Sequence, residues 1–279
     1  MRIGVRGVLA GMALAGFLCA GSALPANAQD ETLMPEQSAA KAKQLIQAAI
    51  QAQGGNAYLN VRDVTCTAQV SQFDHGGNLS GYDKEIEYLI PPDKERDENL
   101  PKRNIITVFN GDKGWSLDRG GVSEVPAAEL ADHENEVKTS LDYIFRHRLQ
   151  EPGMIFQYGG PDIIDLHQVD WVVLMDKDNR SIRIALSQAT HLPIRQVVET
   201  TDPSTHLKGQ QTYIFSNYHP ISGLQTAFNV TEDRNGIKIS QYFLKDCQYN
   251  TNVSPAIFTK QSLDERWAKI GKKEKKKKK

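Results

Sequence analysis

The sequence predicts an α+β fold in which a large, curved antiparallel sheet of about 10–11 strands carries two main helices against its concave face. Short segments with alternating apolar and polar residues recur along the chain, and hairpin turns separate them. Only two segments show helical periodicity, which is too few for a protein built from β-α-β units. A meander of neighbouring strands fits both observations.

The first helix is predicted over residues 36–53. Pro35 suits the first turn of a helix, and Gly54 and Gly55 end the segment. Apolar residues recur at the spacing of one helix face, namely Ala42, Leu45, Ile46, Ala49 and Ile50. Because this apolar stripe must pack on another element, the sheet is its expected partner.

Strands are predicted to follow this helix directly. Residues 64–71 alternate cleanly, as expected for a strand with one buried face. Residues 81–90 and 105–109 predict further strands, and the charged run 93–98 between them predicts a loop. Two short hairpin strands follow at 115–117 and 122–125.

The second helix is predicted over residues 128–149, and a Pro-Gly pair at 152–153 ends it. Arg146 and Arg148 lie at its carboxyl end, where cations complement the helix dipole. The strands then resume at 154–158, 169–175, 181–186, 194–200, 210–216, 226–232 and 237–247.

Residues 1–28 have the organisation of a signal peptide. Two arginines precede an apolar stretch, and Ala26-Asn27-Ala28 fits the small-residue cleavage rule. An uncleaved membrane anchor is the alternative, but the apolar stretch is near the lower length limit for a span. Cys19 raises the alternative of a lipid anchor, but a leucine precedes it where a small residue is needed. We expect an exported protein, soluble after cleavage, with a single domain over residues 29–265.

The overall charge of −1 hides an uneven distribution. Residues 29–265 contain 22 basic and 33 acidic residues, which argues against nucleic acid as a partner. Residues 266–279 contain nine basic residues and one acid and predict a disordered Lys-rich tail. For this tail we consider two interpretations, contact with an anionic membrane and a solvated tail without a specific role.

Two cysteines, Cys66 and Cys247, remain after signal cleavage. Each lies on the apolar side of its predicted strand, so the two side chains meet if the sheet brings those strands together. A disulfide and a pair of buried free thiols are the alternatives, and we favour the disulfide because the compartment permits it.

The sequence contains no motif for catalysis or for a cofactor. A Gly-rich phosphate loop, a Gly-x-Ser-x-Gly elbow and a Cys-x-x-Cys pair do not occur. His133 lacks the second His of a zinc-protease helix and is interpreted as a surface residue; the turn at 176–179 lacks the Gly and Glu of a calcium loop. Asp83, Glu85 and Glu87 share a strand face, which we interpret as solvated. We therefore predict a binding protein with no catalytic residue, metal or cofactor.

Several local patterns, taken in their order along residues 36–260, carry a resemblance to a known family. They are Gly54-Gly55-x-x-Tyr-Leu-x-Val61, Asn110-Gly-Asp-Lys-Gly-Trp115, Asp176-Lys-Asp-Asn-Arg-Ser-Ile-Arg-Ile184, Thr190-His-Leu-Pro-Ile-Arg195, Phe215-Ser-Asn-Tyr218 and Val253-Ser-Pro-Ala-Ile-Phe258. In this order they resemble the LolA/LolB-like periplasmic lipoprotein carriers, the outer-membrane lipoprotein-sorting proteins.

The resemblance implies an unclosed antiparallel half-barrel, capped by helices, whose apolar cavity takes lipid or lipoprotein acyl chains in the periplasm. Carriers of this type gate the cavity with an arginine, for which Arg103 and Arg195 are the candidates. The residues expected to line the cavity are Ile105, Phe109, Val137, Leu141, Ile144, Phe145, Trp171, Val173, Ile184 and Phe228. The alternative is a core plugged by its own side chains. The protein would then be a structural or interaction module of the envelope without a lipid ligand, and its protein partner is unknown.

Overall fold

A computed structural model describes residues 33–201 and 208–277. The predicted signal peptide, residues 1–28, lies outside the described residues. From Met34 onward the described chain forms one compact unit. Its strands are β1 (Val64–Phe73), β2 (Leu79–Ile90), β3 (Lys94–Asn99), β4 (Ile106–Asn110), β5 (Lys113–Asp118), β6 (Gly121–Glu124), β7 (Ile155–Ile164), β8 (His167–Met175), β9 (Ser181–Ser187), β10 (Pro193–Thr201), β11 (Lys208–Ile221), β12 (Leu224–Arg234) and β13 (Ile237–Tyr249).

All thirteen strands form a single antiparallel sheet, as the predicted fold class requires. The strand order is β6-β5-β4-β3-β2-β1-β13-β12-β11-β10-β9-β8-β7, so β6 and β7 are the edges and the sheet is not closed into a barrel. The first and last strands, β1 and β13, pair at the centre of the sheet. The observed architecture is an unclosed half-barrel with 13 strands, more than the 10–11 predicted.

The charged run 93–98 was predicted as a loop, and this prediction is wrong. The structure has strand β3 there, paired with β2 on one side and β4 on the other. Charged residues alternate between the two faces of this strand. A pattern search for apolar alternation misses such a strand, because both sets of alternating positions are charged.

Helical segments lie before, between and after the strands. They are α1 (Pro35–Gln53), α2 (Asn56–Leu59), α3 (Ala127–Thr139), α4 (Leu141–Tyr143), a π-helical turn (Ile144–Arg148), a 3₁₀ turn (Pro255–Ile257) and α5 (Lys260–Lys277). The predicted second helix, 128–149, is therefore not continuous. Ser140 adopts an extended conformation between α3 and α4, and its hydroxyl accepts a hydrogen bond from the Tyr143 amide, which starts the new turn.

The described part of the Lys-rich segment also differs from its prediction. The sequence predicts disorder from residue 266, whereas helix α5 continues through Lys277 in the structure. The apolar side of α5 explains how this helix begins, since Leu263 is fully buried and Ile270 packs against the same cluster. None of the helices within the described ranges is long and apolar enough to cross a bilayer.

The two largest hydrophobic clusters among the described residues lie on opposite faces of the sheet. On the inner face, the predicted stripe of α1 packs with Leu141, Ile144 and Phe145 onto the strands β8 to β10. On the outer face, Phe258 and Leu263 pack onto β4 and β5. The inner face is therefore the one that α1, α3 and α4 cover, and α5 covers part of the outer face.

A disulfide joins Cys66 of β1 to Cys247 of β13, with a sequence separation of 181 residues. The two cysteines are direct partners in the register of these strands. The structure thus contains the bridge that the sequence pattern favours over two free thiols.

Candidate functional site

A cavity of about 440 Å³ lies between the inner face of the sheet and the segment from α3 to the π-helical turn. This volume is in the range of small-molecule sites, roughly 300–1,000 Å³. Its apolar wall comes from several elements, with contributions from Val64, Leu89, Val137, Leu141, Phe215, Leu224, Val230 and the rings of Tyr58, Tyr213, Tyr218 and Tyr249. The inner face of the half-barrel is therefore not completely filled by its own side chains.

An acidic cluster, which we define as Glu85, Glu87, Glu95 and Asp97, adjoins one side of this cavity, and Glu87 and Glu95 line it. Strand register explains it, because Glu87 of β2 stands opposite Asp97 of β3, and Glu85 and Glu95 lie two residues away on the same faces of their strands. Carboxylate oxygens of Glu87, Glu95 and Asp97 lie within 4.8 Å of one another.

Burial on the inner face raises the pKa of these carboxyl groups, and their mutual repulsion adds to the effect. Burial, with Asp97 and Glu85 nearby, raises the pKa of Glu87 to about 8. Burial and the neighbouring Glu87 raise the pKa of Glu95 to about 8. The same causes raise the pKa of Glu85 and Asp97, with Asp83 and Glu95 as the respective neighbours. Glu85 and Glu87 are therefore only partly exposed, on the inner face of the sheet, rather than freely solvated as the sequence suggested.

The spacing of Glu87, Glu95 and Asp97 would allow them to coordinate a cation, so we asked whether their chemistry suits a metal ion. Hard cations bind ionised carboxylates, whereas burial and mutual repulsion raise the pKa of Glu87 and Glu95 and so disfavour their ionised forms. The arrangement therefore suits a neutral, hydrogen-bonding wall better than a metal centre, and we assign no metal to it.

Helix α3 brings two further titratable residues to the cavity. His133 is 9% exposed, and its ring stacks on Phe109 with the centroids 3.7 Å apart, so it is not the surface residue predicted. Burial lowers the pKa of His133, although its Nδ1 lies 3.9 Å from a Glu95 carboxylate oxygen. Glu136, on the same helix, has a raised pKa because of burial and the nearby Glu232.

A second polar group lies among Tyr58, Asp142 and Arg146. The Tyr58 hydroxyl donates to Asp142 at 2.7 Å, and the Arg146 guanidinium lies 4.4 Å above the Tyr58 ring. Arg146 also pairs with Asp142 at 3.2 Å. From the sequence, Arg146 was expected only to complement the helix dipole, but it lines the cavity.

The predicted lining residues fall into four groups in the structure. Val137 and Leu141 line the cavity. Ile144, Phe145 and Ile184 are fully buried in the inner-face core, and Phe109 is covered by His133. The remaining four lie elsewhere: Ile105 is 50% exposed before β4, Phe228 packs edge-on against His219, and Trp171 and Val173 lie on the outer side of β8.

The assignment of Trp171 and Val173 is wrong by one residue of strand register. Val172 and Leu174 belong to the inner-face core, whereas Trp171 packs with Val169 and Ala185 on the outer face. Both faces of β8 are apolar, so alternation in the sequence does not tell which set points inward.

The two arginines considered as gates do not line this cavity. Arg103 lies at a second, outer-face cavity of about 580 Å³, where it is 3.5 Å from Glu98. Arg195 pairs with Asp165 at 3.2 Å. Neither arginine is placed to gate the inner cavity.

Solved structures with a similar fold were found by structural comparison. A DUF1329 family protein from Desulfovibrio piger aligns with a TM-score of 0.58 and 15% identity, over 80% of this chain and 98% of that protein. A putative outer membrane lipoprotein-sorting protein domain from Vibrio parahaemolyticus aligns with a TM-score of 0.54 and 12% identity, over 81% of this chain and 99% of that domain. The chain has a LolA-like fold.

The LolA-like fold confirms the resemblance found in the sequence. Sequence comparison alone does not reach it, because neither a protein-family model nor a curated protein matches the chain. At identities of 12–15% the alignments establish the fold, and the function has to be argued from the cavity.

Proposed function

We propose that the protein is an exported, non-catalytic carrier of the cell envelope that holds lipid or lipoprotein acyl chains in its inner cavity. The observation that carries this proposal is the unfilled space of about 440 Å³ on the inner face of a LolA-like half-barrel. A lipoprotein-sorting domain of the same fold supports an acyl ligand.

The physical basis is the transfer of apolar ligand surface from water to the apolar wall. Each buried methylene of an acyl chain contributes about 0.8 kcal/mol, so a chain of ordinary length provides enough free energy for stable capture. The aromatic rings of Tyr58, Phe215 and Tyr249 supply broad contact surfaces in the cavity. A carrier needs no further chemistry, in agreement with the absence of a catalytic motif in the sequence.

The proposal is tested by native mass spectrometry of the chain exported to a bacterial periplasm, followed by organic extraction of the bound material. We expect an added mass that extracts as phospholipid or as an acylated peptide. A mass without ligand that persists after incubation with lipid micelles would contradict the carrier role and favour the interaction module.

A pair of matched substitutions ties the ligand to the inner cavity. Val230→Trp fills the cavity, because Val230 lines it opposite Phe215. Val173→Trp adds the same volume on the outer side of β8. We expect the first variant to lose the bound mass and the second to keep it; equal ligand content in the two folded proteins would refute the placement.

A further inference from the structure

The outer-face cavity of about 580 Å³ lies between the sheet and helix α5. Four basic residues line it from three parts of the chain: Arg96 of β3, Arg103 of the loop before β4, and Arg266 and Lys269 of α5. Residues 262, 266 and 269 of α5 recur at the spacing of one helix face, so the helix presents them to the same cavity. The volume is in the range of small-molecule sites.

The wall of this outer cavity carries an excess of positive charge. The four basic residues face two acids, Glu98 and Glu265. The buried Arg96 donates from Nε to Glu98 at 2.7 Å, and Glu265 accepts from the side-chain amide of Gln261 at 3.0 Å. With these side chains ionised, the wall has a net charge of +2, and such a field attracts an anion.

Arg96 ties the floor of the outer cavity to the start of α5. It is 5% exposed, so it contributes its charge from below rather than as a contact for a ligand. Its Nη1 donates to the Ile257 carbonyl oxygen at 2.6 Å and to the Ser262 hydroxyl at 2.9 Å. These bonds hold α5 over β3 and keep the cavity at a fixed place on the outer face.

Arg266 fixes the position of Arg103 at the cavity. Nε of Arg266 donates to the Arg103 carbonyl oxygen and Nη2 to the Lys102 carbonyl oxygen, both at 2.9 Å. Arg103 has a φ of 52°, in the left-handed region that residues other than glycine rarely adopt. Its amide donates to the Asn99 carbonyl oxygen at 2.7 Å. Such backbone conformations persist where surrounding contacts hold them, and they cluster at functional sites.

Arg103 and Lys269 are the cations of the wall that a bound molecule can reach. The Arg103 side chain is 41% exposed, and its distance to Glu98 is 3.5 Å, which is longer than a hydrogen-bonded ion pair. Lys269 is exposed at the same cavity. Donors of both side chains therefore face solvent where an anion would enter. Guanidinium and ammonium groups are the donors that proteins use to bind phosphate.

Helix α5 has further features of a helix that lies on a membrane surface. Trp267, next to Arg266, is 40% exposed. Beyond Lys269 the sequence is rich in lysine, and the helix continues through Lys277. Helices that bind to the interface of anionic membranes combine aromatic residues with Lys and Arg. These features favour a phosphate in a lipid headgroup over a free phosphate in solution.

We propose that the outer cavity binds the phosphate of an anionic phospholipid headgroup through Arg103 and Lys269, and that this contact holds α5 on a membrane surface. The acyl chains of that lipid stay in the membrane. The contact is separate from the inner cavity and does not depend on what the inner cavity binds. It gives a carrier a defined surface with which to meet the membrane.

The test measures co-sedimentation of the exported full chain with two kinds of vesicle. One contains phosphatidylcholine alone, and the other contains phosphatidylcholine with phosphatidylglycerol. We expect binding to the second kind only. Glycerol phosphate should then release the protein at an ionic strength about 5-fold lower than sodium chloride does, because it competes for the phosphate site whereas the salt only screens charge.

A pair of double variants assigns this binding to the outer cavity. Arg103→Gln with Lys269→Gln removes the two reachable charges, whereas Lys41→Gln with Lys43→Gln removes the same charge from exposed positions of α1 on the other side of the sheet. We expect the first to weaken vesicle binding about 30-fold, the effect of two basic residues near an anionic surface, and the second to leave it nearly unchanged. Circular dichroism checks that both variants are folded.

Three results would overturn the inference. The first is equal vesicle binding by the two double variants. The second is equal release by glycerol phosphate and sodium chloride at the same ionic strength, which would mean diffuse attraction without a phosphate site. The third is binding of glycerol phosphate in solution without binding to the vesicles, which would assign the site to a free phosphate.

A shortened chain separates the outer cavity from the Lys-rich end of α5. Without residues 271–279 the protein keeps Arg103 and Lys269, so glycerol phosphate should still release it from the vesicles more effectively than sodium chloride does. Loss of that difference would place the contact in the Lys-rich end alone and refute the role of the cavity. Each of these results leaves the carrier role untouched, because bound lipid in the inner cavity is measured separately by native mass spectrometry.

Discussion

The raised pKa values of the acidic cluster make the stability of the protein depend on pH in a specific direction. A carboxyl group whose pKa is higher in the folded than in the unfolded chain binds its proton more tightly in the folded state. Its contribution to stability is fully present below the unfolded pKa and is lost as pH rises through the folded pKa. For Glu87 this window extends from 4.5 to about 8.

The magnitude follows from the same shift. A change from 4.5 to about 8 corresponds to about 5 kcal/mol if the site were dry. The cavity is open to water, which reduces the effect, and we expect a loss of about 1–2 kcal/mol in the free energy of unfolding between pH 5 and pH 9. The glutamine in Glu87→Gln is neutral at every pH, so this variant should lose less stability than the parent over this range. At pH 9 its free energy of unfolding should therefore be higher than that of the parent.

The assay is urea unfolding at pH 5, 7 and 9 with the disulfide intact. Glu199→Gln, at an exposed position of β10, is the control and should follow the parent at all three values. Because Glu87 and Glu95 interact, a double glutamine variant should differ from the parent by less than the sum of the single variants. Parallel pH profiles for the parent and Glu87→Gln would refute the argument.

Three further outcomes are expected. Non-reducing mass analysis should find Cys66 and Cys247 bridged, and replacing both by Ser should cost about 4–5 kcal/mol in the free energy of unfolding, by the loop-entropy estimate; two free thiols in the exported protein would contradict this. Leu141→Glu should abolish ligand capture and lower stability, since Leu141 both lines the cavity and belongs to the core; retained capture in circular-dichroism-verified folded protein would exclude it from the wall. Removal of residues 271–279 decides between the two interpretations of the Lys-rich tail: reduced co-sedimentation with anionic liposomes would favour membrane contact, and unchanged binding would favour a solvated tail.

Sequence patterns predict most of this fold, because most strands have an apolar face and α1 has an apolar stripe. The apolar stripe of α1 and the facing cysteines of β1 and β13 are found as the periodicity predicts. The prediction failed where charged residues are buried, because the polarity of a residue then no longer indicates whether it faces the core. Strand β3 is charged on both faces, with Glu95 and Asp97 turned inward and the Arg96–Glu98 pair buried on the outer side.

The cavity could be predicted only in outline. Val137 and Leu141 lie on helix α3 and at the start of α4, whose position over the sheet follows from their apolar side. The polar wall was missed because its members on the helical segments are far in sequence from those on β2 and β3, and because β3 was predicted as a loop. A paired run of acids on two adjacent strands, at Glu87 and Asp97, is the signal that a register argument could have used.

The same acids offer a physical reason why the cavity remains open. The apolar side chains of β8 to β10 pack in one buried core with those of α1, and no space remains between them. In contrast, β2 and β3 present Glu87, Glu95 and Asp97 to the inner face. Apolar side chains cannot close over these carboxyl groups without leaving them unsolvated and unpaired, which costs several kcal/mol.

Replacing the acids by apolar residues of similar size should therefore close the cavity. In the double variant Glu87→Leu and Glu95→Leu we expect higher stability than in the parent at pH 9, together with loss of binding of the apolar fluorescent probe N-phenyl-1-naphthylamine, because neighbouring side chains can then pack onto β2 and β3. The isosteric double glutamine variant keeps a polar wall and should keep the probe. If the leucine variant binds the probe as tightly as the parent, the acids do not hold the cavity open, and its shape is set by the backbone of the half-barrel alone.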